Sequence, residues 1–134
     1  MITAMLDTNV CIRAMRAGGE PIQRWLAEKA DSLSLSTLVL NELYVGAELS
    51  ARPDFHLGLI EELAVRLTVF NFDNAAARHA AQIRADLHRK GQLIGGNDML
   101  IAGHARSLSL KLVTGDLEDL RRVDGLRCED WLAQ

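Results

Sequence analysis

The spacing of apolar residues along the chain changes repeatedly between the period of a strand and the period of a helix. Residues 2–6 are a short apolar run that favours a strand, and Thr8 or Asn9 can cap a helix that begins near Val10. Residues 32–36, "SLSLS", alternate with the period of two that is typical of a strand. The chain is therefore predicted to begin with a strand, a helical segment and a second strand.

Helical spacing is clearest in the middle of the chain. Pro21, which follows Gly18-Gly19, suits the first turn of a helix that ends near Lys29. The segments "LVLNELYVGAEL" and "RPDFHLGLIEELAVR" each predict a helix, and "LTVFNF" after them predicts a strand. A long Ala-rich helix is then predicted over residues 74–90.

The last third of the chain continues this alternation. "DMLIAGHARSL" is apolar on nearly all sides and predicts a buried helix, opened by Asn97. Residues 111–114, "KLVT", predict a strand, which is followed by a short helix over residues 117–122 and a small strand over residues 126–128. Strands that alternate with helices predict an α/β fold with a mainly parallel sheet covered on both faces. In such sheets, functional sites lie beyond the carboxyl ends of the strands.

Size and composition indicate one ordinary folded domain. The chain has 134 residues, of which 49% are apolar and 25% are charged, as in average globular proteins. No apolar run approaches the roughly 18 residues that a membrane span needs, and no basic segment precedes the apolar N-terminus as in a signal peptide. We therefore expect a soluble, cytoplasmic protein without membrane association, in which Cys11 and Cys128 are reduced, packed thiols.

Four acidic residues occupy positions that are unusual for solvent-exposed charges. Asp7 ends the first predicted strand and Asp116 follows the strand "KLVT", so both should lie at the same edge of the sheet. Glu42 lies between apolar residues inside a helix, and Asp98 lies at the head of a nearly all-apolar helix. Each acid alone is explained by a turn, a helix cap or a solvated helix face. The occurrence of all four favours a shared metal site instead.

Four sequence motifs resemble those of one known family. "MLDTNVCI", "STLVLNELYVGAE", "GGNDMLIAGHARSLSLKLVTGD" and "GLRCEDWL" are similar, in order and spacing, to motifs of the PIN-domain ribonucleases, specifically the VapC-type toxins of bacterial toxin–antitoxin pairs. The resemblance covers essentially the entire chain. It implies a PIN-like three-layer α/β/α fold with a central, mainly parallel sheet, and a single nuclease domain over residues 1–134.

The same resemblance implies the residues of the site. The catalytic, metal-binding acids of the family correspond to the four acids described above: Asp7, Glu42, Asp98 and Asp116. Asp7 and Asp98 rank first as ligands of Mg²⁺ or Mn²⁺. Close relatives of this pattern often have asparagine where Asp116 stands, so this residue is expected to support the site rather than to be essential. Three polar residues are expected to support the acids: Thr8, Asn9 and Thr114.

Metal-dependent hydrolysis of RNA is the chemistry that these residues imply. Carboxylates that are drawn together repel one another unless protons or cations neutralise them, and hard oxygen ligands suit Mg²⁺ or Mn²⁺. Such an ion can activate water for in-line attack on a phosphodiester, which leaves 5′-phosphate and 3′-hydroxyl ends. The formal net charge is −3, of which the four acids contribute −4, so the rest of the chain carries +1. The negative total therefore does not argue against an RNA substrate.

The resemblance also implies partners. Toxins of this type typically form homodimers and are neutralised by a cognate VapB-type antitoxin, whose C-terminal segment lies in the groove that leads to the acids. The resulting hetero-oligomer contacts DNA only through the antitoxin, and the RNA substrate of the toxin can be a tRNA. On the locally basic helix over residues 74–90, Arg84 is the candidate contact for RNA or antitoxin, although an ordinary solvated face explains these charges equally well.

Other functions compete with the toxin hypothesis. A receiver-like signalling domain would need a paired acid beside Asp7 and a lysine just after a late strand, whereas Lys111 precedes the end of its strand. Two alternatives remain: a catalytically silent PIN-like module that binds RNA or a partner, and a stand-alone RNA-processing nuclease.

The four histidines lack the spacing of a zinc site and are expected to be non-catalytic. Trp25 and Trp131 form no evident stacking platform for RNA.

Overall fold

A sheet of five parallel strands forms the centre of the fold. The computed structural model of the chain describes residues 1–16 and 20–131, apart from the side chains of residues 20–22, so Gly18-Gly19 and the side chain of Pro21 lie outside the described residues. The strands are β1 (Ala4–Leu6), β2 (Leu33–Ser36), β3 (Thr68–Phe70), β4 (Lys111–Val113) and β5 (Cys128–Glu129). All the strand pairs are parallel, which confirms the predicted α/β class.

β1 lies in the middle of the sheet, where the strand order reverses. The order across the sheet is β3-β2-β1-β4-β5. β2 and β3 therefore lie on one side of β1, and β4 and β5 lie on the other side. Sites of open parallel sheets lie beyond the carboxyl ends of the strands at such a reversal. Here that place lies between the ends of β1 and β4, which Asp7 and Thr114 directly follow.

Helices cover the sheet in the described part of the chain. They are α1 (Thr8–Met15), α2 (Glu20–Lys29), α3 (Thr37–Glu48), α4 (Pro53–Arg66), α5 (Asn74–Arg89), α6 (Gly96–Ser107) and α7 (Leu117–Leu120), with a 3₁₀ turn at Ala30–Ser32. α1 contacts α2, α3 and α4, whereas α5 packs extensively against α6. Helices and sheet thus form the predicted three layers. None of the described helices is long and apolar enough to cross a membrane.

Several element boundaries depart from the predictions by one or two residues, among them those of β3, β4, α6 and α7, and two others show the physical reason. α1 begins at Thr8, earlier than predicted, because Asp7 provides the cap that the sequence pattern assigned to Thr8 or Asn9. The last strand covers Cys128–Glu129 rather than residues 126–128, because that is where the chain pairs with β4. Both differences arise where a tertiary contact or a cap, rather than hydrophobic spacing, decides the end of an element.

The central strands are buried on both faces. The three residues of β1 are at most 1% exposed, and Leu112 and Val113 of β4 are fully buried, as is typical of parallel strands between two helix layers. β2 differs, because Ser34 and Ser36 are also fully buried and both hydroxyls make hydrogen bonds. The serines and leucines of "SLSLS" therefore lie on opposite faces of β2, and both faces are buried. The alternation does not mark a solvent-exposed face.

A very close helix contact lies between α5 and α6 at Gly103. A β-carbon added at Gly103 would lie 2.4 Å from the backbone nitrogen of Ala80, which is too close for any side chain to fit without movement. Ala76 and Ala80 are almost fully buried and keep the facing surface of α5 small. Small residues at this contact therefore set the position of the helix that carries Asp98.

Gly103→Ala should destabilise the fold, because the added methyl group would force α5 and α6 apart. We expect the free energy of unfolding to fall by about 1–3 kcal/mol, as measured by urea denaturation with circular dichroism. Gly58→Ala is the matched control, since Gly58 lies in α4 with nothing within 4 Å of an added β-carbon. The control should gain up to about 1 kcal/mol from helix propensity. Equal stability of Gly103→Ala and the wild type would contradict the close packing.

Candidate active site

Asp7 is held at the end of β1 by hydrogen bonds to its carboxylate. Its backbone is extended (φ −76°, ψ 164°), and its Oδ1 accepts a hydrogen bond from the Thr8 backbone N–H at 2.8 Å, so Asp7 is the N-cap of α1. The prediction that Thr8 or Asn9 caps this helix is wrong, because α1 already begins at Thr8 and only Asp7 separates it from the end of β1. Asp7 is only 6% exposed, which places its charge in a largely dry position.

Thr114 connects Asp7 to Asp116. Its fully buried hydroxyl donates to Oδ2 of Asp7 at 2.8 Å and accepts a hydrogen bond from the Asp116 backbone N–H at 3.0 Å. Thr114 directly follows β4, which pairs with β1. One hydroxyl therefore joins the two strand ends that carry the first and the last of the predicted acids.

Thr8 and Asn9, the other two residues expected to support the acids, have different surroundings. The Thr8 hydroxyl is buried and has no hydrogen-bond partner among the described residues. Asn9 is exposed on the first turn of α1. Thr8 therefore contributes an unsatisfied oxygen next to Asp7 in the chain, whereas Asn9 faces solvent.

Asp98 lies in the first turn of α6, where a carboxylate interacts favourably with the helix dipole. Gly95 forms the N-cap of this helix without a side-chain hydrogen bond. A β-carbon at Gly95 would lie 3.2 Å from Oδ2 of Asp98. Glycine at this position therefore leaves room for the Asp98 carboxylate and for whatever binds it.

Glu42 is half-buried and lies on α3. Its Oε1 atom is buried and has no hydrogen-bond partner among the described residues. The side chain also lines a groove of about 650 Å³ whose walls come mainly from α1, α3 and α4, with Gln23 of α2. A buried carboxylate oxygen without a partner costs free energy, so this atom is expected to have a ligand in the working protein.

The pKa of Asp98 shows that the predicted acids interact with one another. Burial is the largest cause that raises this pKa from its ordinary value to about 6. Nearby negative charges raise it further, in decreasing order: Asp7, Asp116, Glu42 and Asp119. Burial likewise raises the pKa of Asp7, against the opposing effect of its two hydrogen bonds. The fold therefore brings all four predicted acids within electrostatic reach, at a cost in repulsion.

Asp119 is a nearby acid that the sequence analysis missed. It lies on the short helix α7, where its backbone N–H donates to Oδ1 of the cap residue Asp116 at 3.3 Å. Arg122 partly offsets its charge through a contact of 3.5 Å. The signal in the sequence was the spacing of Asp119, three residues after Asp116, because a cap and the third residue after it are brought together at a helix start.

The four predicted acids suit a hard divalent cation because they offer carboxylate oxygens, although they do not lie in a tight group. In residues 1–16 and 20–131, no three His, Cys, Asp or Glu side chains are close enough to hold a metal ion directly. The four predicted acids form no ion pair within this part of the chain, and Oε1 of Glu42 has no partner. Such oxygen ligands suit Mg²⁺ or Mn²⁺ that keeps several waters. Because uncompensated carboxylates repel, a cation would draw them closer.

Arg84 lines a cavity that none of the four predicted acids lines. It is exposed on α5, and this cavity of about 180 Å³ is also lined by Phe72, Gly96 and Met99. Gly96 begins the helix that carries Asp98, but Arg84 is not among the charges that shift the pKa of Asp98. Arg84 could therefore contact a molecule that extends beyond the acidic site.

The cysteines and tryptophans add no catalytic group. Cys11 and Cys128 are free thiols, as predicted. Burial and the charge of Asp7 raise the pKa of both, that of Cys128 to about 11, so they stay protonated and are poor nucleophiles. Trp25 and Trp131 pack edge-to-face against each other, with 5.2 Å between their ring centroids. Their contact is structural.

Comparison with known proteins identifies the family to which this fold and site correspond. The family model described as "PIN domain" matches residues 4–126. The chain therefore belongs to the PIN-domain family, and its full-length relatives place it among the VapC ribonucleases. It is 41% identical over 131 residues to the tRNA(fMet)-specific endonuclease VapC of Shigella flexneri, covering 98% of this chain and 99% of the relative. It is 38% identical over 132 residues to ribonuclease VapC2 of Haemophilus influenzae, covering 98% and 100%.

Solved structures agree with this assignment. The structure of DNA-bound VapBC from Salmonella typhimurium contains a chain with a TM-score of 0.94 and 41% identity, covering 98% of this chain and 99% of that chain. VapBC2 from Rickettsia felis, bound to a fragment of promoter DNA, gives a TM-score of 0.91 at 30% identity, covering 98% and 99%. The resemblance seen in the sequence and the predicted PIN-like fold are thus confirmed.

Raising the pH should destabilise the metal-free protein, because Asp98 loses its proton. The pKa of Asp98 is about 6 in the folded protein and about 3.9 in an unfolded chain, so the folded state binds this proton more tightly. The contribution of Asp98 to the free energy of unfolding should therefore fall as the pH rises from about 4 to about 6. Urea denaturation in EDTA at a series of pH values measures this slope.

Two variants isolate the effect of Asp98 from that of other groups. Asp98→Asn should lose this part of the pH dependence, because asparagine does not titrate. Asp31→Asn changes an exposed aspartate in the turn that precedes β2, at the opposite edge of the sheet, and should keep the slope of the wild type. A slope that is the same in Asp98→Asn and the wild type would argue against the raised pKa.

Proposed function

We propose that this chain is the toxin of a toxin–antitoxin pair, an endoribonuclease that hydrolyses RNA phosphodiester bonds and inhibits translation until its antitoxin neutralises it. The relatives that match 98% of its length are named as a ribonuclease and a tRNA endonuclease. The structural observation that carries the proposal is the electrostatic convergence of the predicted acids on Asp98 at the reversal of the strand order.

Mg²⁺ or Mn²⁺ is the proposed cofactor. Asp7 and Asp98 would be its principal ligands, and Glu42 and Asp116 would complete the acidic set. The lack of ion pairs at these acids within the described residues supports this assignment. When bound, the ion supplies positive charge that stabilises the leaving oxygen and lowers the pKa of water toward neutrality.

The residues of the chain orient the attack on RNA. Thr114 and the Thr8 backbone bind the two oxygens of Asp7 and so fix the direction of its carboxylate. Oε1 of Glu42, which is buried and without a partner, is the proposed acceptor of the proton from the attacking water. The water oxygen bonds to phosphorus while the bond from phosphorus to the 3′ oxygen breaks, and the 3′ oxygen takes up a proton from solvent. The products then end in 5′-phosphate and 3′-hydroxyl groups.

A single-stranded loop of a tRNA is the proposed substrate. The relative from Shigella flexneri is named a tRNA(fMet)-specific endonuclease. Asp98 and Asp116 are partly exposed, so an unpaired loop could reach them by shape and a few contacts. Recognition would then depend on the fold of the RNA more than on stacking against aromatic side chains.

A VapB-type antitoxin is the proposed partner, in a hetero-oligomer built on a toxin homodimer that contacts DNA only through the antitoxin. The similar structures are VapBC complexes bound to DNA. The groove between α1, α3 and α4 suits an apolar segment of such a partner, because Leu43, Phe55 and Leu59 line it. Glu42 also lines this groove. A segment bound there would therefore reach the acids and could block access to them.

Asp7→Asn and Asp98→Asn should each abolish RNA cleavage while leaving the fold intact. Each change removes a negative charge that the proposed cation needs, but it keeps the size of the side chain. Cleavage of total tRNA by the purified protein, followed by sequencing of the cleaved ends, measures the effect. Asp31→Asn, at the opposite edge of the sheet, is the matched control and should cleave as the wild type does.

Metal removal separates this proposal from a metal-independent or silent module. EDTA should stop cleavage by the wild type, and added Mg²⁺ or Mn²⁺ should restore it. Full activity in EDTA, or in both Asp7→Asn and Asp98→Asn, would refute the metal-dependent mechanism. No cleavage by a folded wild type at any Mg²⁺ or Mn²⁺ concentration would instead favour a catalytically silent binding module.

Arg84→Gln should weaken binding of RNA without disturbing the acids. We expect the KM for RNA to rise, with little change in kcat, and the salt slope of RNA binding to fall by about one unit through the lost phosphate contact. Arg78→Gln, also exposed on α5, is the matched control. Antitoxin affinity is measured in parallel. If Arg84→Gln weakens binding of the antitoxin but not of RNA, the proposed RNA contact is wrong and Arg84 belongs to the surface that binds the antitoxin.

A further inference from the structure

His104 is a buried polar residue that lies in the interior of the fold. Its side chain is 1% exposed, and Nδ1 lies 2.8 Å from the Ser36 hydroxyl oxygen, 68 positions away in the chain. The backbone of Asn71 forms a hydrogen bond with the ring. Phe72 packs edge-to-face on the ring, with 5.5 Å between the centroids and an interplanar angle of 86°. The imidazole is therefore held in one orientation.

The contacts of the hydroxyl and of the ring together assign the direction of the bond between Ser36 and His104. Ser36 is the N-cap of α3, and its Oγ accepts a hydrogen bond from the Leu38 backbone N–H at 3.0 Å. The hydroxyl proton is free to point at His104, and we assign Nδ1 as its acceptor, because the bond with the Asn71 backbone raises the pKa of the ring and so uses a ring N–H as donor. This assigns the neutral ring with the proton on Nε2, the form that burial favours because it lowers the pKa of His104.

This bond connects the two helices that carry Glu42 and Asp98. Ser36 caps α3, on which Glu42 lies six residues later, and His104 lies on α6, six residues after Asp98. Six residues of helix span about 9 Å, so each acid lies less than two turns from the link. α3 and α6 contact each other at few other places. The bond therefore couples the placement of one acid to that of the other.

We infer that His104 is a positioning residue, which holds Glu42 and Asp98 in register by accepting the Ser36 hydroxyl bond. The inference rests on the proposed function, since it concerns the same acids, but the bond itself does not depend on that function. Hydrogen-bonded residues behind a metal site commonly change metal affinity or activity by about 10–100-fold when they are replaced. His104 acts in this way through the backbone of two helices.

The chain offers a matched control for a buried serine hydroxyl. Ser34 lies on the same strand and is equally buried, but its hydroxyl donates to the backbone carbonyl of Ala4 at 2.9 Å. Ser34→Ala therefore removes a buried hydrogen bond inside the sheet but leaves the bond between Ser36 and His104 in place. Because Ser36→Ala also removes the cap of α3, an effect of the link must appear in both His104→Leu and Ser36→Ala and be absent from Ser34→Ala.

Three variants test the link. His104→Leu removes the acceptor, Ser36→Ala removes the donor, and His104→Asn keeps an acceptor, because its side-chain oxygen lies near the position of Nδ1. Mn²⁺ affinity without RNA, measured by electron paramagnetic resonance, and kcat and KM for RNA are determined for each. Urea denaturation reports the stability of each variant. If His104→Leu does not fold, Ser36→Ala and His104→Asn still decide the outcome.

We expect Mn²⁺ affinity and kcat to fall by about 10-fold or more in His104→Leu and Ser36→Ala, with the KM for RNA unchanged. His104→Asn should recover most of this loss, and the double variant should lose no more than either single variant. Ser34→Ala should lose stability but keep the Mn²⁺ affinity and kcat of the wild type. Nitrogen NMR of the wild type near pH 6.5 should show the neutral ring with the proton on Nε2.

The outcomes separate this inference from the proposed function. If Asp7→Asn weakens Mn²⁺ binding but His104→Leu and Ser36→Ala affect it no more than Ser34→Ala does, the positioning role is wrong and the metal site stands. If Asp7→Asn leaves Mn²⁺ binding unchanged, the proposed metal site is wrong and the positioning inference falls with it. A protonated ring or the opposite tautomer in the wild type would overturn the assigned hydrogen bond.

Discussion

The repulsion between carboxylates that share one edge of the sheet is the constraint on which the rest of the structure depends. β1 and β4 deliver Asp7 and Asp116 to neighbouring strand ends, and burial raises the pKa of Asp7. Two hydrogen bonds, from Thr114 and from the Thr8 backbone, oppose that effect because they stabilise the charged form. Within the described residues, neutral donors rather than ion pairs therefore hold the charge of Asp7 in place.

Packing far from the acids determines where the acids lie. The fully buried β1 sets the position of Asp7, and the approach of α6 to α5 at Gly103 sets the helix that begins with Asp98. The cap at Ser36 sets the start of the helix that carries Glu42. None of these three contacts involves a charge. The apolar core and a few buried hydroxyls can thus hold repelling groups together, because the acids contribute little to the packing that fixes them.

The hydrophobic pattern predicted the elements better than the contacts between them. Apolar runs and helical spacing found the segments that carry Asp7, Glu42 and Asp98, and the resemblance to a family grouped these acids. The cap at Asp7 was assigned one or two residues too late, because a cap depends on where a strand stops, which spacing does not show. The bond between His104 and Ser36 joins residues 68 positions apart, and such tertiary contacts leave no periodic signal.

Relief of the repulsion can come from a metal ion or from a partner. A cation that binds the folded acids but not the unfolded chain stabilises the folded state by mass action, and the neighbouring negative charges that add to the effect of burial on the pKa of Asp98 are charges that such a cation would neutralise. A cationic side chain of an antitoxin in the groove lined by Glu42 would relieve the same repulsion. Ion and partner would then compete for the same negative charge. Inhibition would then need no change of fold. The cationic side chain of the antitoxin would replace the metal ion, and this side chain cannot support hydrolysis.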